Sequence, residues 1–137
     1  KNYLDSLREA ARQKGYVETV FGRRRYLDDI HSPQWQARQA AERAAINMPV
    51  QGTAADIIKM AMVTTTQLLD SYCKKHQRAG GKEPLLVLQI HDELIFEVDE
   101  KDAEELLPLL RESMETVAKL AVPLMVTGKK GRSLGDL

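Results

Sequence analysis

The chain has 137 residues, which is the length of one modest domain. Hydrophobic residues make up 43% of it and charged residues 29%, with only 8 glycines and 5 prolines, and this balance excludes disorder and collagen-like or mucin-like repeats. The 20 basic and 20 acidic residues cancel, so net charge alone indicates neither a nucleic-acid nor a membrane partner.

Charge is nevertheless distributed unevenly along the chain. Residues 1–25 hold seven basic and three acidic residues, whereas residues 83–115 hold two basic and eleven acidic residues. A basic segment can contact phosphates, and an acidic segment can gather cations. Solvated helix faces also carry such charges, and composition alone does not separate the two interpretations.

Nothing in the sequence indicates export or a membrane partner. The one cysteine, Cys73, cannot form an internal disulfide, no apolar run approaches the ~20 residues that cross a bilayer, and the first residues do not resemble a signal peptide. We therefore expect a cytoplasmic protein. Because the chain starts with Lys1 and helical spacing begins at Leu4, we expect it to begin inside a larger protein.

The first part of the chain reads as a helix followed by a hairpin. Apolar spacing predicts a helix over residues 2–14, and Gly15 suits the left-handed conformation that follows many helices. β-formers over residues 16–21, a turn at Gly22 and a basic run over residues 23–27 predict two paired strands.

Two helices are predicted next. Ser32 suits the cap of a helix over residues 34–47, and an apolar stripe predicts a second helix over residues 51–75. Pro49 lacks an amide hydrogen and disfavours helical geometry at Met48, so the chain should break or bend there.

The second half of the chain adds strands and a covering helix. Apolar residues 85–90 and 94–98 predict a tight antiparallel hairpin of two buried strands. Asp99 suits the cap of a helix that runs to about residue 120, and residues 122–126 predict a further strand. Pro108 in that helix costs ~3 kcal/mol unless the helix kinks or starts late. Helices combined with antiparallel strands define an α+β fold.

The first candidate for chemistry is the polar bend between the two apolar strands, formed by His91, Asp92 and Glu93. Adjacent carboxylates at the rim of a core repel unless a divalent cation neutralises them, and oxygen ligands without cysteines favour Mg²⁺ or Mn²⁺ over zinc. Polar residues are also ordinary in a turn. A two-ion site needs a further carboxylate, so both interpretations stay open.

The second candidate is a row of hydrogen-bond donors. Arg43, Asn47 and Gln51 are spaced four apart, which places them along one side of a helix with a drift of ~40° per step. With Arg38 they can lie along a duplex, whose minor groove presents acceptors in similar places for every matched base pair. The other interpretation is a solvated helix face.

A third candidate, Arg23, Arg24 and Arg25, is weaker. On a strand, Arg23 and Arg25 face one way and Arg24 the other, so at most two of them can address the same phosphate track.

Three blocks of the sequence together resemble family A DNA polymerases, the group of bacterial DNA polymerase I. They are residues 15–26 (GYVETVFGRRRY), 41–56 (AERAAINMPVQGTAAD) and 88–98 (LQIHDELIFEV). The resemblance implies part of a larger polymerase domain whose antiparallel palm-type sheet carries a catalytic hairpin. It implies a fingers-side helix and hairpin in residues 1–33, duplex-facing helices in 34–75, and palm strands with a covering helix in 85–137.

The resemblance also implies a role for each candidate. Asp92 corresponds to one of two aspartates that bind the catalytic metal pair, and Glu93 to an auxiliary carboxylate near the metals. His91 corresponds to a residue at the primer end, and Arg38 to a template-backbone contact. The donors along the nascent duplex correspond to Arg43, Asn47 and Gln51.

The implied reaction is two-metal nucleotidyl transfer from a dNTP to the primer 3′-hydroxyl, with two Mg²⁺ ions or Mn²⁺ in their place. The implied partners are primer-template DNA, dNTP and the upstream remainder of the polymerase chain. This sequence lacks a counterpart of the other metal-binding aspartate and of the nucleotide-binding fingers helix. We therefore expect the isolated chain to be inactive.

Two alternatives remain at this point. A non-catalytic duplex DNA-binding module would keep the donor row and tolerate loss of Asp92. A metal-dependent hydrolase built on His91, Asp92 and Glu93 is disfavoured because adjacent residues on a hairpin point in different directions.

Overall fold

The computed structural model describes residues 2–76 and 82–136, which form two compact units. One unit ends at Asp56 and the other begins at Ile57. Mixed helices and two small antiparallel sheets confirm the predicted α+β class. Within the described residues, no helix combines the length and the apolar character that a membrane span requires.

The first unit contains a helix, a short hairpin and a long helical segment. Its core consists of small and apolar side chains from all of these elements, with Ala11, Val17 and Ala45 among them. In chain order the elements are α1 (Asn2–Lys14), β1 (Tyr16–Glu18), β2 (Arg24–Tyr26), a 3₁₀ turn (Asp28–His31), α2 (Trp35–Asn47) and a π-helical turn (Met48–Gly52).

Glycines shape the two bends around the first hairpin as predicted. Gly15 follows α1 with φ +73°, and Gly22 turns between the strands with φ +82°, conformations that are strained for residues with a Cβ. The strands are shorter than predicted, because the amide of Val20 donates to the hydroxyl of Thr53 at 3.0 Å instead of continuing the ladder.

The bend predicted at Pro49 is a change of helix type and not a break. Five residues, Met48–Gly52, form a π-helical turn, and α3 (Thr53–Lys75) follows directly. Because Pro49 has no amide hydrogen, a wider turn with i→i+5 bonding accommodates it without ending the helix. Upstream, Ser32 is not the cap itself: α2 starts at Trp35, and the Ser32 hydroxyl accepts from the amide of Gln34 at 3.2 Å.

The second unit packs a hairpin against helices. It comprises the rest of α3, the strands β3 (Leu85–Ile90) and β4 (Glu93–Glu97), α4 (Glu100–Glu115) and a short 3₁₀ turn (Leu134–Asp136). Its core is Leu69, Tyr72, Leu106 and Leu110, with Leu68, Phe96 and Val98 packed against it.

The prediction that both strands of this hairpin are buried is wrong for β3. Leu85, Leu88 and Ile90 are 51%, 43% and 40% exposed. A register shift at Val87 makes that residue a bulge, so Leu88 pairs with Ile95 and the three exposed residues share one face. The opposite face packs on the helices of this unit through Phe96.

Two predictions beyond the hairpin also need correction. Residues 122–126 do not form a strand: Pro123 cannot donate to a ladder, and the amide of Val126 donates to the Glu115 carboxylate at 3.1 Å. The last long helix ends at Glu115 and not near residue 120, and it retains Pro108 in its interior.

Candidate functional site

The predicted donor row lies on an exposed surface of the first unit. Arg43 and Asn47 are on α2 and Gln51 is in the π-helical turn, and all three are exposed. Between Arg43 and Asn47, ordinary α-geometry gives an offset of ~40°. Gln51 lies in the π-helical turn, so its offset from Asn47 departs from this α-helical value.

A surface depression of about 460 Å³ adjoins this row. It brings two of the predicted donors together with the arginine run of the first hairpin. Its lining residues are Arg23, Arg24, Arg25, Ala44, Asn47, Met48, Gln51 and Gly52. Arg38 and Arg43 do not line it. Basic and amide donors that converge on one concavity suit a ligand rich in acceptor atoms.

Arg23 holds the hairpin to the helical segment. Its Nε donates to Asp56 Oδ1 at 2.7 Å, and its Nη2 donates to the carbonyl of Gly52 at 3.0 Å. Glycine is required at that point, because a Cβ on Gly52 would lie 2.8 Å from Thr19 Cγ2. This guanidinium therefore stabilises the contact between the hairpin and the helical segment.

Arg24 is also engaged within the protein. Its Nε donates to Glu18 Oε2 at 2.8 Å, and its guanidinium carbon lies 4.6 Å from the centre of the Tyr16 ring. The hydrogen bond to Glu18 is the main reason that the pKa of Arg24 is raised above its ordinary value. Arg24 thus stabilises the hairpin from its outer face.

Arg38, predicted as a template-backbone contact, is half-buried and donates through Nη1 to the carbonyl of Ser32 at 2.9 Å. This bond anchors the start of α2. A guanidinium has five N–H donors, so one such bond leaves others for a ligand.

The acidic turn lies in the second unit. His91 and Asp92 are the two residues between β3 and β4, and Glu93 opens β4. His91 has φ +54°, the pattern of a hairpin turn that ordinarily places glycine there, and its carbonyl accepts from Gln89 Nε2 at 2.8 Å. A non-glycine residue in this region stores strain of about 1–3 kcal/mol, and such strain clusters at functional sites.

Asp92 and Glu93 present exposed carboxylates. Among the described residues neither forms a hydrogen bond or an ion pair through its side chain. Carboxylate oxygens are the donors that Mg²⁺ and Mn²⁺ prefer, so the chemistry of the pair fits a divalent ion. Within residues 2–76 and 82–136, however, no group of three or more His, Cys, Asp or Glu side chains could hold one. The pair therefore fits part of a metal site.

The profile of DNA polymerase family A matches residues 1–136, and the chain belongs to this family. The resemblance carried by the three sequence blocks is thereby confirmed.

Individual relatives agree with this assignment. Over 131 residues the chain is 44% identical to DNA polymerase I of Streptococcus pneumoniae serotype 4, a match that covers 96% of this chain and 14% of that protein. Over 124 residues it is 45% identical to the thermostable DNA polymerase I of Thermus caldophilus, covering 90% of this chain and 14% of that protein. The chain thus spans about one seventh of the length of these relatives.

A solved structure shares the fold. The POL domain of Pol1 from M. smegmatis, in complex with DNA primer-template and dNTP, superposes with a TM-score of 0.79 at 46% identity. The match covers 92% of this chain and 21% of that one.

Proposed function

We propose that this chain serves template-directed DNA synthesis as part of a larger polymerase, which transfers a nucleotidyl group from a dNTP to a primer 3′-hydroxyl. The observation that carries the proposal is the exposed donor row, Arg43, Asn47 and Gln51, in a chain that belongs to DNA polymerase family A. The similar solved structure is described as a complex with DNA primer-template and dNTP, which supports the same partners here.

The donor row would track the minor groove of the new duplex. Purine N3 and pyrimidine O2 atoms occupy similar places there for every matched pair, so N–H donors at fixed spacing accept any correct pair regardless of sequence. A mismatch displaces these acceptors and leaves the donors of Asn47 and Gln51 unpaired. Arg38 would contact the template backbone.

The acidic turn would supply part of the catalytic centre. Asp92 would be a metal ligand, Glu93 an auxiliary carboxylate, and His91 a contact to the primer end. When bound, two Mg²⁺ ions would lower the pKa of the primer hydroxyl and neutralise charge on the triphosphate. The strained backbone of His91 would hold the Asp92 carboxylate outward at the tip of the hairpin.

Each segment would then have its own task. Residues 1–33 would form the fingers-side helix and hairpin, residues 34–75 the duplex-facing helices, and residues 85–137 the catalytic hairpin of the palm and its covering helix. Because Asp92 and Glu93 make up only part of an ion site, we expect this chain alone not to extend a primer.

The test is single-turnover primer extension by the complete polymerase that contains this chain. We expect Asp92→Asn to slow the chemical step by about 10³-fold or more, since several kcal/mol of charge stabilisation are lost at ~1.4 kcal/mol per factor of ten. Asp70→Asn removes another exposed carboxylate, from α3, and should leave the rate unchanged.

The outcome separates two functions. If Asp92→Asn does not reduce turnover, the chain is better described as a non-catalytic duplex-binding module. Primer extension by the isolated chain would contradict the proposal that its ion site is incomplete.

A further inference from the structure

The hydroxyl of Thr53 links two parts of the first unit that are far apart in sequence. It accepts a hydrogen bond from the amide of Val20 at 3.0 Å, and it donates to the carbonyl of Pro49. A hydroxyl has one donor and two acceptor lone pairs, so it can make both bonds at once. This side chain therefore connects the turn of the first hairpin to the π-helical turn, although Val20 and Thr53 are 33 positions apart.

The bond to Pro49 takes the place of one that a regular α-helix makes through its backbone. In such a helix the amide of Thr53 would donate to the carbonyl of Pro49, four residues earlier. Here that amide donates to the carbonyl of Val50 instead. The hydroxyl supplies the carbonyl of Pro49 with a donor, at the point where the π-helical turn ends and α3 begins.

The second bond of Thr53 is unusual for a threonine in a helix. Thr64, Thr65 and Thr66 of α3 also donate to carbonyls four residues earlier, which is a common use of this side chain. Among the described residues, their hydroxyls form no hydrogen bond outside α3, whereas that of Thr53 also accepts from the hairpin. The bond to the hairpin therefore distinguishes Thr53 from the other three.

Gln51 lies between the two bonded ends of this segment. Pro49 and Thr53 are each two residues away from it, and the carbonyl of Gly52 accepts from Arg23 at 3.0 Å. The backbone on both sides of Gln51 is thus held, while its side chain is exposed. A side chain on a fixed backbone is presented at a defined place, and π-helical turns occur frequently at functional sites.

We propose that Thr53 is a positioning residue for Gln51, because its hydroxyl links the hairpin to the π-helical turn and so fixes where the Gln51 amide meets the minor groove of the duplex. The inference rests on the proposed function, which makes Gln51 a duplex contact, and adds to it a residue that acts through another side chain. The acceptors of a matched pair occupy fixed places. A displaced Gln51 donor would therefore lose its bond to them, and matched and mismatched ends would be extended at more similar rates.

The test is pre-steady-state primer extension by the complete polymerase that contains this chain. Thr53→Val keeps the size of the side chain and removes the hydroxyl, and we expect it to slow extension from matched ends about five- to tenfold. Extension from mismatched ends should change less. Thr53→Ser retains the hydroxyl and should extend at the unmodified rate. The burst amplitude counts active enzyme, so a loss of folded protein lowers the amplitude and not the rate constant.

A double-mutant cycle separates positioning from a purely structural role. If Thr53 acts through Gln51, the double variant of Thr53→Val and Gln51→Ala should be no slower than Gln51→Ala alone. Independent losses would instead multiply to about 25- to 100-fold and would overturn the inference. Equal rates for Thr53→Val and Thr53→Ser would also overturn it. If Thr53→Val gives no folded enzyme, Thr53→Ala takes its place in the cycle.

The matched control is Thr64→Val. Thr64 is half-buried like Thr53 and donates to the carbonyl of Met60, four residues earlier, without a bond to the hairpin. Its loss should leave extension unchanged. A loss of extension equal to that of Thr53→Val would show a general effect of removing a helical hydroxyl and would overturn the inference.

Failure of this inference can be told apart from failure of the proposed function. If the unmodified polymerase does not extend a primer, the proposed function fails. If Gln51→Ala leaves extension unchanged, there is no contact for Thr53 to position, and the inference fails together with the donor row. If Gln51→Ala slows extension while Thr53→Val does not, only this inference fails.

Discussion

Arg23 donates to Asp56 at 2.7 Å and thereby joins the first hairpin to the first turns of α3. The two residues are 33 positions apart in the sequence. The same guanidinium donates to the carbonyl of Gly52 in the π-helical turn, so one side chain links the hairpin, this turn and the start of α3. The position of Arg25 beside Asn47 depends on this link.

Loss of that link should loosen the hairpin. Arg23→Ala removes two hydrogen bonds of a charged guanidinium, one to a carboxylate and one to a backbone carbonyl. With the side chain half exposed, we expect about 1–1.5 kcal/mol of local destabilisation. Hydrogen exchange of residues 16–26 should accelerate about tenfold. Arg8→Ala breaks the surface pair with Asp5 and should not change exchange in the hairpin. Equal exchange in both variants would contradict this role for Arg23.

The strained turn at His91 predicts that two substitutions differ in stability but share a loss of activity. Glycine adopts φ +54° freely, whereas alanine does not, so His91→Gly should be more stable than His91→Ala by about 1 kcal/mol. Both variants should lose the proposed contact to the primer end and extend a primer more slowly. Denaturant unfolding and primer extension measure the two effects. An alanine variant as stable as the glycine variant would contradict the strain.

The attachment of residues 122–126 to α4 should depend on pH. The amide of Val126, and then Arg111, lower the pKa of the Glu115 carboxyl below its ordinary value of about 4.5. A folded-state pKa below the unfolded one contributes stability that is present above pH ~4.5 and is lost as the pH falls through the lowered pKa. The amide resonance of Val126 should therefore titrate in this acidic range. In Glu115→Gln it should not.

The donor row should act on every matched base pair alike. Asn47→Ala and Gln51→Ala each remove a donor, and we expect a five- to tenfold loss of extension, or about 1–1.5 kcal/mol, that is the same for A·T and G·C primer termini. Gln67→Ala, an exposed amide on α3, serves as the control and should have no effect. A loss confined to one kind of base pair would indicate direct sequence readout instead.

Local physical chemistry accounts for much of the fold and for the family. The first helix, the glycine bends at Gly15 and Gly22, and both hairpins follow from apolar spacing and turn residues, and the structure confirms them. The blocks around Arg43 and Asp92 are contiguous in sequence, so they identified the family without coordinates. The roles of the individual site residues stay predictions.

Other features depended on partners distant in sequence. Val20 leaves its strand for the hydroxyl of Thr53, and Val126 leaves its predicted strand for Glu115. A backbone amide bonds to whichever acceptor the tertiary structure brings near, and periodicity does not report this. Leu85, Leu88 and Ile90 of β3 are likewise exposed, because they lie on the face of the hairpin opposite to the one that packs on the helices.

The sequence by itself determined the helices, the turns, the family and the candidate residues, because each depends on neighbouring residues or on contiguous motifs. Only the tertiary structure distinguished the three arginines and converted the bend at Pro49 into a π-helical turn. The arginines differ because two of them donate to the carboxylates of Asp56 and Glu18. The turn at Pro49 is π-helical because the chain continues as a helix directly past the proline, which lacks an amide hydrogen.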